Sequence, residues 1–221
     1  MNPDLLQSLA VTASLAAITT ACLMLLTPPL AWWLARTRHP VRPLVEALVA
    51  LPLVLPPTVL GFYLLLFMSR DGILGGLWHT ATGESLAFTF SALVIGSVVY
   101  SLPFVAQPIA ASFRTTEPGL LDAASVLGFS PRQRFLRIVL PVHRRALLAG
   151  AVLGFAHTIG EFGIVLMIGG NIPGETRVLS ILLFDQVEAL NYASAHLTAG
   201  ILLLISLITL TFTYAYLRRE S

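Results

Sequence analysis

Five stretches of this chain are long and apolar enough to cross a lipid bilayer, and prolines fall inside three of them. A spanning helix needs about 20 largely apolar residues. The runs cover residues 8–34, 44–68, 86–113, 146–168 and 195–217. Pro28-Pro29 interrupts the first, Pro52, Pro56 and Pro57 crowd the second, and Pro103 and Pro108 mark the third. Each internal proline removes a backbone donor and clashes with the preceding turn. Lipid cannot satisfy the carbonyls set free, so these regions must face protein or a water-filled path. The second run packs three prolines into residues 52–57, which no regular helix accommodates. The expected fold is an all-α bundle of five transmembrane helices, a single permease-like domain over residues 1–221.

Charge supports this. Only 11% of residues are charged and the mean hydropathy is +0.84, against about 25% charged in an ordinary soluble domain. A formal net charge of +2 is too small to point to nucleic acid. Cys22 is the single cysteine, so neither an intrachain disulfide nor a metal cluster has support. The opening Met1-Asn2-Pro3-Asp4 lacks the positive charge of a signal peptide, and the following run ends in proline and arginine. No cleavable signal is expected.

All 13 basic residues are arginine. Arg36, Arg38 and Arg42 lie in the first loop. Arg114, Arg132, Arg134, Arg137, Arg144 and Arg145 lie in or beside the third, and Arg218 and Arg219 in the tail. With five spans these eleven share one side, leaving Arg70 and Arg177 on the other. The positive-inside rule then places the N-terminus outside and the C-terminus in the cytoplasm. The fourth run carries Gly150 and Gly154, a pair spaced for close helix approach.

The third loop, residues 114–145, reads as two short helices. Acidic Glu117 suits the positive end of the first, and Gly128 the left-handed position past its end. Ser130 reads as the N-cap of the second, with Pro131 at the first helical position and Gln133 completing a capping box. Leu120, Leu121, Ala124 and Leu127 form one apolar face. Such an element is either a docking surface or an amphipathic loop resting on the membrane.

Within it stand Asp122-Ala123-Ala124, then Gly128, Ile138, Leu140 and Pro141. The spacing resembles the coupling loop of ABC importer permeases, which begins Glu-Ala-Ala. The one departure is Asp122 for glutamate, which keeps the charge on a shorter side chain. The resemblance implies a type I importer permease in the bacterial cytoplasmic (inner) membrane. Its implied partners are two ATPase subunits docked at Asp122, Ala123, Ala124, Gly128, Ile138, Leu140 and Pro141, and a periplasmic or extracellular oxyanion-binding protein. ATP and Mg would be used by the ATPase. This chain holds no phosphate-cradling G-x-x-x-x-G-K-[ST] loop. No cofactor, metal or catalytic role is expected of it.

Two further segments are similar to molybdate permeases. They are the Pro52–Gly61 stretch, which sulfate permeases share, and Gly160-Glu161-Phe162-Gly163 with Gly169-Gly170-Asn171-Ile172-Pro173-Gly174-Glu175-Thr176-Arg177. Molybdate is the substrate the resemblance implies. Sulfate or tungstate transport by the same machine is the alternative. One five-helix bundle is small for a pathway, so a homodimer with a two-fold axis matching two ATPases is expected.

Glu161 is the ionisable residue in the fourth run, four positions after His157. Such a residue within a span is a functional candidate. It can line a path or gate, hydrogen-bond another span as a neutral acid, or lie near the outer interface; a carboxylate repels an anionic substrate, which places direct contact last. His157 reads as a packed histidine. Oxyanions are commonly held by neutral donors, which makes Thr58, Ser97, Ser101 and Thr158 path candidates, although each hydroxyl can also bond its own helix. The outer loop 169–191 is either a receptor for the binding protein or a solvated connection. Two other classes compete: a proton-coupled carrier working through Glu161 and His157, which needs no ATPase dock, and an intramembrane metalloenzyme, for which two ligands are too few.

Overall fold

The computed structural model describes residues 3–219. Met1, Asn2, Glu220 and Ser221 lie outside the described residues, as do the side chains of Tyr214, Tyr216, Leu217, Arg218 and Arg219. In chain order the helices are α1 (Pro3–Arg36), α2 (Arg42–Val54), α3 (Pro57–Met68), α4 (Ile73–Thr82), α5 (Phe90–Arg114) and α6 (Pro118–Val126). A continuous helical run follows as α7 (Pro131–Arg134), a π-helical stretch (Phe135–Val139) and α8 (Leu140–Val142). The chain ends with α9 (Arg144–Ile159), α10 (Gly163–Gly169), α11 (Leu179–Glu188) and α12 (Tyr192–Arg219).

Three of these, α1, α5 and α12, are each long and apolar enough to cross a membrane. Two bent pairs also pass the same test of length and composition, for up to five spans if each pair counts as one. The first is α2–α3, bent by 116° between Val54 and Pro57, where the prolines of the second run predict a break. The second joins the Pro131–Val142 run to α9 through a 76° bend at His143.

Three sequence expectations need correction. Pro28-Pro29 does not interrupt α1, which stays helical from Pro3 to Arg36. Buried Leu23, Thr27, Pro28 and Ala31 pack that face into the bundle, and the packing overrides the local cost of the prolines. The fourth run is not one helix, because α9 stops at Ile159 and α10 begins at Gly163. The 169–191 connection is not a plain solvated loop, since it contains α11 with Leu179, Ile181 and Leu182 buried.

The centre of the bundle is α1, α5 and α9 packed on one another, with α10 lying on α3 and α5 and α12 lying on α9 and α11. The α5–α9 contact is close because of glycine. A Cβ on Gly154 would sit 2.7 Å from Val105 Cγ2, and one on Gly150 would sit 3.0 Å from Ile109 Cδ1. The small-residue pair therefore works inside this chain.

The two ends of α1 define the two ends of the bundle. At its C-terminal end, Arg36 Nη2 donates to the Thr116 carbonyl at 2.9 Å. Nearby, Arg42 and Arg114 both donate to Glu46 Oε1, at 3.1 and 2.9 Å. At its N-terminal end, the Leu179 N–H donates to Thr12 Oγ1, and Gly174 lies against Gln7. Arg177 is at that same end, donating to Asn171 and facing Asp185 at 3.8 Å. Arg36, Arg42 and Arg114 thus lie at one end and Arg177 at the other, as their order along the chain predicts.

Replacing Gly154 by alanine forces a methyl group into Val105, an overpacking that costs about 1–3 kcal/mol. The Tm of the detergent-purified protein should fall. Gly119→Ala, in open space on α6, should leave Tm unchanged or raise it.

Candidate functional site

Between α9 and α10 the backbone leaves the helix for Gly160, Glu161 and Phe162. Phe162 adopts φ −132° and ψ −65°, outside helical values. Glycines at 160 and 163 flank the irregular stretch. In an apolar bundle such a break must be paid for with local hydrogen bonds. Ser180 Oγ, on α11, donates to the Glu161 carbonyl.

The Glu161 side chain is only 3% exposed as a residue and turns toward α5. Ser97 Oγ donates to its Oε2 at 2.5 Å, and Ser101 Oγ donates to its Oε1 at 2.8 Å. His157 Nδ1 lies 2.9 Å from Ser101 Oγ and 3.5 Å from Glu161 Oε1. The Thr158 hydroxyl sits 3.1 Å from Ser101 Oγ and donates to the Gly154 carbonyl at 2.9 Å. Ser97 and Ser101 thus each place a hydroxyl on a different oxygen of the Glu161 carboxyl group, and Ser101 Oγ also meets His157 Nδ1 and the Thr158 hydroxyl.

Four of the five path candidates, Ser97, Ser101, Thr158 and Glu161, therefore meet in one buried cluster joining α5 to the α9–α10 break. Thr58 stands apart from these hydrogen bonds. It lines, with Pro57, Tyr100, Ala156, His157, Gly160, Glu161, Phe162 and Gly163, an open cavity of about 520 Å³ beside the cluster. His157 is packed as its sequence context suggests, stacked on Phe104 at 3.8 Å and tilted against Tyr100 at 4.8 Å. The four-residue spacing of His157 and Glu161 would put both on one face of a continuous helix, but α9 ends between them at Ile159, so that spacing is not the reason they meet. Tyr100, Phe104 and Ser180 were not among the sequence candidates, and nothing in local spacing marks them.

The loop at the arginine-rich end forms as its sequence predicts. Gly128 adopts φ +81°, a left-handed conformation that a side chain resists. Phe129 N–H donates to the Ala124 carbonyl and Gly128 N–H to the Ser125 carbonyl, the paired bonds of a Schellman cap. Ser130 and Gln133 complete the capping box reciprocally, at 2.8 and 3.3 Å. Arg134 Nη1 donates to Ser125 Oγ at 2.6 Å and ties the two helices together. The π-helical stretch falls one turn ahead of Pro141, where a regular helix would press the ring against the Arg137 carbonyl.

Of the seven coupling candidates, Ala124 is buried and Ile138 and Leu140 are half-buried. Asp122, Ala123, Gly128 and Pro141 face outward. The expected apolar face splits in two. Leu121 and Ala124 turn inward, Leu121 against the core of α1 and α5, while Leu120 and Leu127 are exposed. Val126 is 89% and Leu127 76% exposed, large apolar surfaces on a tightly capped turn.

His143, at the bend between this loop and α9, is buried. Its Nδ1 lies 2.7 Å from Ser112 Oγ and its Nε2 2.8 Å from Thr116 Oγ1. Thr116 gives its own proton to the Phe113 carbonyl, so Nε2 is the protonated nitrogen and Nδ1 accepts from Ser112. The ring also meets Phe113 edge-on. Burial lowers its pKa below the usual histidine value, and Arg36 lowers it further. With its folded pKa depressed, the neutral form is the stable one. The stabilisation is complete above the unfolded value near 6.5 and is lost as pH falls through that value toward the folded one. Thermal unfolding of the purified protein between pH 7.5 and 5.5 should show a decline in Tm that His143→Gln reduces.

Residues 27–220 match the family described as binding-protein-dependent transport system inner membrane component. The chain is 48% identical over 210 residues to the molybdenum transport system permease protein ModB of Azotobacter vinelandii, covering 95% of this chain and 93% of that one. It is 34% identical over 212 residues to the sulfate transport system permease protein CysT of Escherichia coli K12, covering 95% of this chain and 75% of that protein. The same fold occurs in a bacterial ABC transporter that imports the acidic polysaccharide alginate, with a TM-score of 0.80 over 99% of this chain and 80% of that one at 16% identity. A helical bundle of this architecture, with a match running through the capped loop and the α9–α10 break, leaves one conclusion: this chain is a member of the binding-protein-dependent transport system inner membrane component family.

Proposed function

We propose that this chain is the membrane-spanning subunit of an ATP-driven importer that carries molybdate across the cytoplasmic membrane. The observation that carries the substrate is the 48% identity to ModB over nearly the full length of both chains. Sulfate permeases are the second reading, supported by identities of 33–36% but on longer proteins, of which this chain covers 72–75%. The chain is a transport component and not an enzyme; ATP and Mg are handled by a separate ATPase.

The arginine-rich end faces the cytoplasm by the positive-inside rule, which sets the start of α1 outside. The capped turn with Asp122, Ala123, Ala124 and Gly128 is then the surface on which the ATPase sits, and exposed Val126 and Leu127 are the apolar contact. Half-buried Ile138 and Leu140 seat the second helix against the bundle, and Pro141 stays on its outward face. Leu140 and Phe135 pack with Phe113 and Leu147, so a push on the turn is delivered to α5 and, across the His143 bend, to α9. At the far end of α9 lies the polar break at Glu161. Two copies related by a two-fold axis match two ATPases. An extracytoplasmic oxyanion-binding protein delivers substrate to the end that carries Asn171, Arg177 and Asp185. Transport follows as a population shift between inward-open and outward-open arrangements of rigid helices.

The complex reconstituted in liposomes with its ATPase and binding protein should take up molybdate only when ATP is present, and excess sulfate should not compete. Gly128→Arg places a bulky charge on the exposed turn. It should lose ATPase co-purification and lower uptake about tenfold or more in a protein that still folds. Uptake of sulfate without molybdate would overturn the substrate. A Gly128→Arg complex transporting at the wild-type rate would overturn the docking surface.

A further inference from the structure

Glu161 presents a physical conflict. The buried Glu161 carboxyl group accepts from Ser97 and Ser101, two of the neutral donors that the sequence offers for an anion path. We propose that Glu161 is a tethered anion occupying the hydroxyl donors that the transported oxyanion uses, so the path stays closed to anions until the carboxylate leaves Ser97 and Ser101. The inference rests on the reading of this chain as an oxyanion permease.

Four observations support it. First, the two serine hydroxyls converge on one carboxyl group, each on a different oxygen. A tetrahedral oxyanion presents the same kind of target, several acceptor oxygens on one centre, to the same neutral donors. Second, the cluster is deep. Ser97 and Ser101 lie seven and eleven residues into α5, about 10 and 17 Å from its start at 1.5 Å per residue.

Third, the carboxylate has somewhere to go. It borders the open cavity lined by Thr58, Tyr100 and His157, and that lining includes no arginine that would hold it in place. Fourth, the backbone and side chain of Glu161 are held differently. Ser180 anchors its carbonyl, while the side chain is held by the two serine hydroxyls beside His157. A rotation of the side chain alone releases both donors. Two anions cannot share this site in a low-dielectric interior, because their repulsion is weakly screened there. Occupancy by carboxylate and by substrate is therefore exclusive, and the closed path resists leakage of intracellular oxyanion.

The alternative is a plain structural staple between α5 and the α9–α10 break. A staple variant would lower stability without changing how tightly the path is sealed, and leakage separates the two. Proteoliposomes containing the complex are loaded with molybdate, and efflux is followed without ATP or binding protein. Wild type and Glu161→Asp, which keeps the charge, should stay sealed. Glu161→Gln, nearly the same size without the charge, should leak about tenfold faster or more. A Glu161→Gln complex that assembles with its ATPase and stays as tight as wild type overturns the proposal.

Should Glu161→Gln fail to assemble, Ser97→Ala combined with Ser101→Ala decides. Removal of shared donors should lower ATP-driven molybdate uptake about tenfold or more, and uptake at the wild-type rate overturns the proposal. Wild-type vesicles that show no ATP-dependent uptake of any oxyanion would instead sink the transport reading itself.

Discussion

A backbone group that leaves its helix inside a bilayer must find a partner in the protein, and this requirement organises the molecule. The α9–α10 break is tolerated because Ser180 meets the Glu161 carbonyl while Ser97 and Ser101 meet its side chain. The N-terminus of α11 is tolerated because Thr12, itself bonded to the Ser8 carbonyl, accepts from Leu179 N–H. Lipid could supply neither bond. Irregular backbone is therefore confined to places where hydroxyls from other helices reach it, and those places bring distant parts of the chain together around polar atoms.

Between the break and the loop at the other end stands a rigid connection. Helices α1, α5 and α9 pack closely, with glycine where α9 crosses α5, so they move as bodies and do not flex along their length. The loop is stiff as well. A Schellman cap, a capping box and the Arg134–Ser125 bond fix its turn from within. Flexibility is left at few places: the bend at His143, the glycine-flanked stretch around Glu161, and the proline break between α2 and α3. A machine that converts a push at one end into access at the other needs stiff levers and few joints.

What could be read from the residues follows the range of the forces involved. The caps of the loop were legible, because a capping box and a left-handed glycine are decided within a few residues, while its apolar face was not, because burial there depends on the bundle beneath. The apolar runs that became α1, α5 and α12 were legible because the bilayer acts on composition. Long-range packing was not. Pro28-Pro29 looks like an interruption, yet tertiary contacts carry α1 through it. The helix break at Glu161 contains no proline, and its glycines also suit close packing, so a continuous span was the natural reading. Ser97, Ser101, Thr158 and Glu161 could each be named as polar residues in apolar runs, but their meeting depends on the register of α5 against α9. His143 carried no signal beyond its place between Val142 and Arg144, because its partners Ser112 and Thr116 come from another helix end.

The central claim is that the capped turn at the arginine-rich end is where an ATPase engages this chain. A photo-cross-linking residue placed at Val126, the most exposed apolar position of that turn, tests it directly in the assembled complex. The same residue at Leu203, on the outward face of α12, serves as the reference. The account predicts an adduct with the ATPase subunit from position 126 and none from 203. An intact complex that yields no ATPase adduct from position 126, or yields it from 203 instead, would contradict it.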